Sequence, residues 1–138
     1  GTQLGRDPVA QGRRQVALAE GLVPQGREIL TAQLQGAPSP YMSVIPEGTM
    51  LRAFYVTDRG DAFVDLSLEV SSRHPGGSST ELLTVYAIVN AVTANLPTIQ
   101  RVQILIDGRE ADTLAGHVDL RRPLQQDLSL VREQPDAQ

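Results

Sequence analysis

Between Met50 and Asp107 the spacing of apolar residues changes twice, from every second residue to every third or fourth and back again. In "AFVDLSLEV", Val64, Leu66 and Leu68 alternate with Asp65, Ser67 and Glu69, which predicts a strand with one buried face and one wet face. "MLRAFYV" before it reads as a second strand. The "TDRGD" between them supplies the Asp and Gly of a tight turn, so the pair is expected to form a β-hairpin. Leu82, Val85, Tyr86, Val89, Val92, Thr93 and Leu96 then recur at the helical period, and Asn95 and Pro97 close that helix. In "IQRVQILID" the period returns to two, with Val102, Ile104 and Ile106 on one face. Asp107–Gly108 is a two-residue hairpin signal, after which "READTL" can return as a short strand.

The flanks are less regular. Residues 1–12 are small and polar and are expected to be a flexible arm. Val16 and Leu18 suggest a short strand. "LVPQGREILTAQLQGAP" suggests a helix with Pro24 in its first turn, Leu30 and Leu34 four apart, and Gly36 at its end. Ala37 to Thr49, rich in proline, reads as a loop. Beyond Asp119 no period is visible, and residues 132–138 are expected to fray. The expectation is one domain over 13–131. Its class is α+β: a small, mainly antiparallel sheet with two helices packed on one face. The other face, more polar, is left to meet a partner.

A chain of 138 residues with 41% hydrophobic residues is long enough for one ordinary core. Aromatics make up only 4%, so Val, Ile, Leu and Ala must build that core. All twelve basic residues are arginine and the net charge is −4, which speaks against a nucleic-acid surface. The lack of lysine excludes a Walker lysine, a Schiff-base lysine and a lysine base. The lack of cysteine excludes disulfides and thiolate metal sites. No signal peptide or long apolar run is present. The chain starts Gly-Thr-Gln without methionine, so a membrane anchor is expected, if anywhere, upstream of this sequence.

"RHPGGSSTE" (73–81) is the stretch most open to a functional reading. Ser78 and Glu81 match S-x-x-E, so Ser78 is expected to cap the helix while Glu81 reaches back to the Ser78 amide. Gly76 and Gly77 let the chain turn into the helix, and Pro75 holds the bend. An anion site is disfavoured because Glu81 puts negative charge where the anion would sit. His74 with Ser78 or Ser79 is a stray Ser–His pair, since no G-x-S-x-G elbow accompanies it. His117 and Asp119 form H-x-D, but the spacing supplies no third metal ligand. Asp58, Asp61 and Asp65 lack the pattern of a calcium loop. Asn90 is polar in mid-helix; with His74 it stands as a candidate interaction residue, and its bland reading is a half-exposed amide tied to a nearby loop. No catalytic, cofactor or metal residue is assigned.

Several segments resemble the GerM domain of bacterial sporulation and germination proteins: "LQGAP", "VIPEGTMLRAFYV", "GDAFVDLSLE", "GGSSTELLTVYAIVNAVTANLPTIQRVQILIDG" and "TLAGHVDLRRPL". The resemblance runs from about Val16 to Val131 and rests on the order of these pieces, not on a catalytic signature. Ala91 departs from it, where the family often has threonine. The resemblance implies an extracytoplasmic domain, anchored upstream by a lipid or a membrane helix. It implies likeness to ring-building motifs, α-β-β-α-β modules that assemble side by side, and it implies no enzymatic activity. The expected partners are then further copies of the chain or other envelope proteins. The alternative is a module that binds cell-wall glycan or peptide. Strand and helix order also resembles the KH domain, but "HPGGSS" lacks the second glycine of a G-x-x-G loop and its basic flanks, so nucleic acid is not an expected partner.

Overall fold

The hairpin forms where the alternation places it. In the computed structural model, which describes residues 8–35 and 45–129, β1 (Leu51–Val56) pairs antiparallel with β2 (Asp61–Leu66). The turn is closed by hydrogen bonds from the Thr57 amide to the Asp61 carbonyl and from the Gly60 amide to the Thr57 carbonyl. The chain then passes through a short helix, α2 (Glu69–Ser72), and a long one, α3 (Ser78–Asn95), to reach β3 (Arg101–Ile106). β3 lies parallel to β2. Two short strands, β4 (Arg109–Glu110) and β5 (Leu124–Gln125), pair antiparallel with opposite ends of β3. The fold is α+β as expected, and the sheet is mixed: its central pair is parallel and its flanks are antiparallel. Asp107 and Gly108 both take positive φ, 55° and 79°, as a type I′ hairpin turn requires.

Register builds the core in three rows. Leu51, Leu66 and Ile106 stand side by side, as do Phe54, Val64 and Ile104, and Val56, Ala62 and Val102. Val64, Leu66 and Val102 are fully buried. Val85, Ile88, Val89 and Val92 of α3 close over this face and are equally buried. The first helix, α1 (Pro8–Leu34), packs on β1 and on α3, so α1 and α3 share one side of the sheet, as expected. Leu30 is its fully buried anchor. Gly26 sits against the ring of Phe54 so closely that a Cβ there would overlap the ring.

Five expectations need correction. No strand forms around Val16 and Leu18; both lie inside α1, which is 27 residues long and begins at Pro8. The proline that opens this helix is Pro8, while Pro24 falls in mid-helix and forfeits one intrahelical hydrogen bond. Alanine, leucine, glutamine, arginine and glutamate carry the helix through that region by propensity more than by apolar contrast. Residues 8–12, within the expected arm, are helical. β2 ends at Leu66, so Leu68 does not continue the buried face and is 53% exposed. Asp65, assigned to the wet face, is 4% exposed. The Gly36 helix end and the tail 132–138 lie outside the described residues.

Candidate functional site

The residues singled out in the sequence gather at two places on α3. At its start, His74 to Gly77 form the turn from α2. The Gly76 amide donates to His74 Nδ1 at 3.0 Å, so that nitrogen is unprotonated and Nε2 carries the proton toward Thr84 Oγ1, also 3.0 Å away. Gly76 and Gly77 both have φ 91°. Gly77, with ψ 134°, occupies the N-cap position in a conformation that only glycine adopts at low cost.

That glycine overturns the capping-box reading. No side-chain cap bond exists at the start of α3, and Ser78 is the first helical residue, not the cap. With the frame moved by one residue, Glu81 lies a position beyond the one from which a side chain reaches back to the cap. Its side chain turns inward and is 0% exposed. There it accepts four backbone N–H groups from one irregular segment. Leu114 and Ala115 donate to Oε2 at 3.0 Å, Val118 to Oε2 at 3.2 Å, and His117 to Oε1 at 2.9 Å. Burial pushes the Glu81 carboxyl upward, but the Ala115, Val118, His117 and Leu114 amides together outweigh it and hold the group below 4.5. The sequence could not show this, because the four donors lie 33 to 37 residues downstream.

Midway along α3, Asn90 makes a reciprocal pair with the backbone of Asp127. Its Nδ2 donates to the Asp127 carbonyl at 2.9 Å, and its Oδ1 accepts the Asp127 amide at 3.0 Å. The amide is tied to a loop as the bland reading has it, but it is buried, with 4% exposure, not half-exposed. A third polar cluster closes the Asp107–Gly108 turn. Asp65 Oδ1 accepts the Gly108 amide at 2.8 Å, and Arg52 bridges Asp65 at 3.4 Å and Asp107 at 2.7 Å. Arg52 sits at the β1 irregularity between Leu51 and Ala53. Those bonds explain why Asp65 can be buried.

Chemistry-bearing residues are thus consumed by the fold. His74 does not pair with Ser78 or Ser79. Among the described residues no three His, Asp or Glu side chains stand together as metal ligands would, and no buried side-chain polar atom lacks a partner. Asp119 is drawn down to about 2 by its bonds to Arg121 beside it on the surface. One concavity of about 200 Å³ opens between the last turns of α1 and the start of β1. Arg27, Thr31, Gln35 and Thr49 give it polar walls and Leu34 and Leu51 apolar ones.

The comparison with family models is decisive. The model described as "Germane: Sporulation and spore germination" matches residues 6–112. The chain belongs to the Germane family. The same architecture occurs in a crystal structure of a candidate lipoprotein from Clostridium perfringens, at 26% identity and a TM-score of 0.68, covering 78% of this chain and 71% of that one. The first GerMN domain of the sporulation protein GerM from Bacillus subtilis is matched at 21% identity and a TM-score of 0.47, over 62% of this chain and 59% of that one. The tandem GerMN domains of the same protein are matched at 22% and 0.48, over 63% and 28%. No curated protein matches the sequence. No helix among the described residues of this Germane domain is long and apolar enough to cross a membrane.

Proposed function

We propose that this Germane domain is a non-enzymatic assembly and protein-interaction module of the cell envelope, working outside the cytoplasm in sporulation and germination or a related envelope process. The observation that carries the reading is the fate of the buried polar groups. Glu81, Asn90, Asp65 and His74 are each spent on backbone or neighbouring side chains. A catalytic centre keeps such groups aimed into a cleft. Family membership and the likeness to a lipoprotein structure support the extracytoplasmic placement, with an anchor upstream in the full-length protein.

These 138 residues contain no cysteine, so an introduced thiol has no competitor within the domain, and the unaltered full-length protein is the labelling control. A single Ser79→Cys, at an exposed position on α3, is introduced into the full-length protein in its own cells. An impermeant maleimide is expected to label it in intact cells, and a short bifunctional maleimide to join it to a discrete neighbour. Labelling only after lysis sinks the placement. If several such exposed sites yield only the uncrosslinked chain, assembly is sunk.

The concavity beside Arg27 favours a second reading, a site for a short cell-wall peptide or glycan, because polar and apolar walls converge there. Titration with muropeptide fragments is expected to move the amide resonances of Thr31 and Thr49. An unchanged spectrum at millimolar fragment removes this reading.

A further inference from the structure

Four side chains on α3 are both polar and buried: Glu81, Thr84, Asn90 and Thr93. Thr84 and Thr93 return their hydroxyls to carbonyls of their own helix, those of Thr80 and Val89. Glu81 and Asn90 instead turn away from their own helix. Both reach the backbone of the same segment, the chain between β4 and the C-terminal side of β5.

That segment has almost no ladder of its own. Between Ala111 and Pro123 it contains no strand or helix. Its internal bonds are few, chiefly the Leu120 amide to the Asp112 carbonyl and the Gly116 amide to Thr113 Oγ1. Its hydrogen bonds to β3, among the described residues, run through the two-residue strands at either end and through Gln103 donating to the Arg121 carbonyl at 3.3 Å. Ser71 of α2 donates to the Leu114 carbonyl. From it Leu114 and Leu120 are buried in the core, and Ala111, Ala115, Val118 and Leu124 pack against that core partly buried. Buried amides in such an irregular stretch need an acceptor. One carboxylate supplies it for Leu114, Ala115, His117 and Val118 together. Converging amides of this kind form a nest that suits an anion, and here the anion is part of the chain.

We propose that residues 111–127 are a strap that opens and closes as a unit over the start of α3 and the outer side of β3, with the Glu81 carboxylate as its latch and Asn90 as its hinge-side pin. The strap covers the β3 edge and inserts two plugs, Leu114 and Leu120, into the core. Release of the latch uncovers that edge and withdraws both plugs while the β1–β2–β3 sheet, α1 and α3 keep their packing. The inference holds whether or not the domain assembles.

Native-state hydrogen exchange tests it. In the unaltered domain the amides of Leu114, Ala115, His117 and Val118 are expected to exchange through one shared opening, distinct from and easier than the opening that frees the β1–β2 amides. Glu81→Ala is expected to lower protection at those four amides by about tenfold or more while β1–β2 protection changes much less. Molar formate should restore much of that protection, because a free carboxylate fits the emptied nest, and chloride at equal ionic strength should not. Glu81→Gln, which keeps the shape but presents an NH₂ group to amide donors, provides the milder variant if Glu81→Ala does not fold. The proposal is overturned if the four amides exchange only with the β1–β2 amides in the unaltered domain. It is also overturned if either variant leaves them fully protected.

Discussion

At the scale of single residues, Glu81 decides the most. Truncation to alanine leaves several buried amides without an acceptor, and a loss on the order of 3 kcal/mol is expected in urea unfolding at neutral pH. The same carboxylate sets a pH dependence. Its folded value lies below its ordinary 4.5, so its contribution is complete above about 4.5 and is lost as pH falls through the folded value. The stability gap between the unaltered domain and Glu81→Gln should therefore be constant from pH 7 down to about 5 and shrink in stronger acid. A gap that widens in acid would contradict the assigned bonding. Gly26 offers a second residue-scale expectation. Alanine is the better helix former by about 1 kcal/mol, yet here its methyl must displace the buried Phe54 ring. Gly26→Ala should therefore destabilise by about 1–3 kcal/mol, read from the shift of the urea midpoint at constant m.

At the scale of elements, legibility followed the reach of the interactions that fix each one. β1, β2, α3 and β3 were readable because each must bury a continuous stripe, and a stripe leaves a period in the sequence. The Asp107–Gly108 turn was readable because positive φ at two successive residues restricts what can stand there. β5 was not, since two residues cannot show a period. The start of α1 was not, because its propensity-driven residues mimic a short alternation at Val16 and Leu18. The motif S-x-x-E was legible but misled: whether Glu81 caps its own helix or turns inward depends on Gly77 taking the cap position and on amides far downstream. Asn90 was visible only as an anomaly. Asn90→Ala should cost about 1–2 kcal/mol by freeing the Asp127 backbone. Resonances near Asp127 should shift while those of the β1–β2 hairpin stay in place. Gly77→Ala tests the α2–α3 turn: φ 91° is strained for any residue with a Cβ, and a loss of about 1–3 kcal/mol is expected by thermal unfolding.

At the scale of the whole molecule, the surface bounds what kind of assembly is possible. A stable contact between proteins buries about 800 Å² on each partner around an apolar centre. The large apolar side chains that stand exposed among the described residues are Met50, Tyr55, Leu68 and Leu128. Met50 and Leu68 belong together, since the Ser67 amide bonds the Met50 carbonyl, but Tyr55 projects from the sheet face opposite the helices, and Leu128 lies beyond β5. On that sheet face Tyr55 adjoins the half-buried Phe63 in register, Gln103 beyond it is buried against the Arg121 carbonyl, and the Asp61–Arg101 ion pair lies in the next row. Such a surface has apolar points set in polar ground, which suits weak side-by-side contacts that become strong only when many copies are held in one plane. The separate domain should then be monomeric at micromolar concentration and associate with a dissociation constant on the order of 10⁻⁴ M or weaker. Tethering copies to a vesicle raises their local concentration to millimolar and should drive association without any new contact. Sedimentation velocity over a hundredfold range of concentration, paired with energy transfer between labelled copies on vesicles, separates the outcomes. Association only on the vesicle supports an envelope assembly module. Tight dimers in dilute solution would point to a larger apolar interface than these residues supply, and no association at millimolar surface density would leave the domain to act through a different protein.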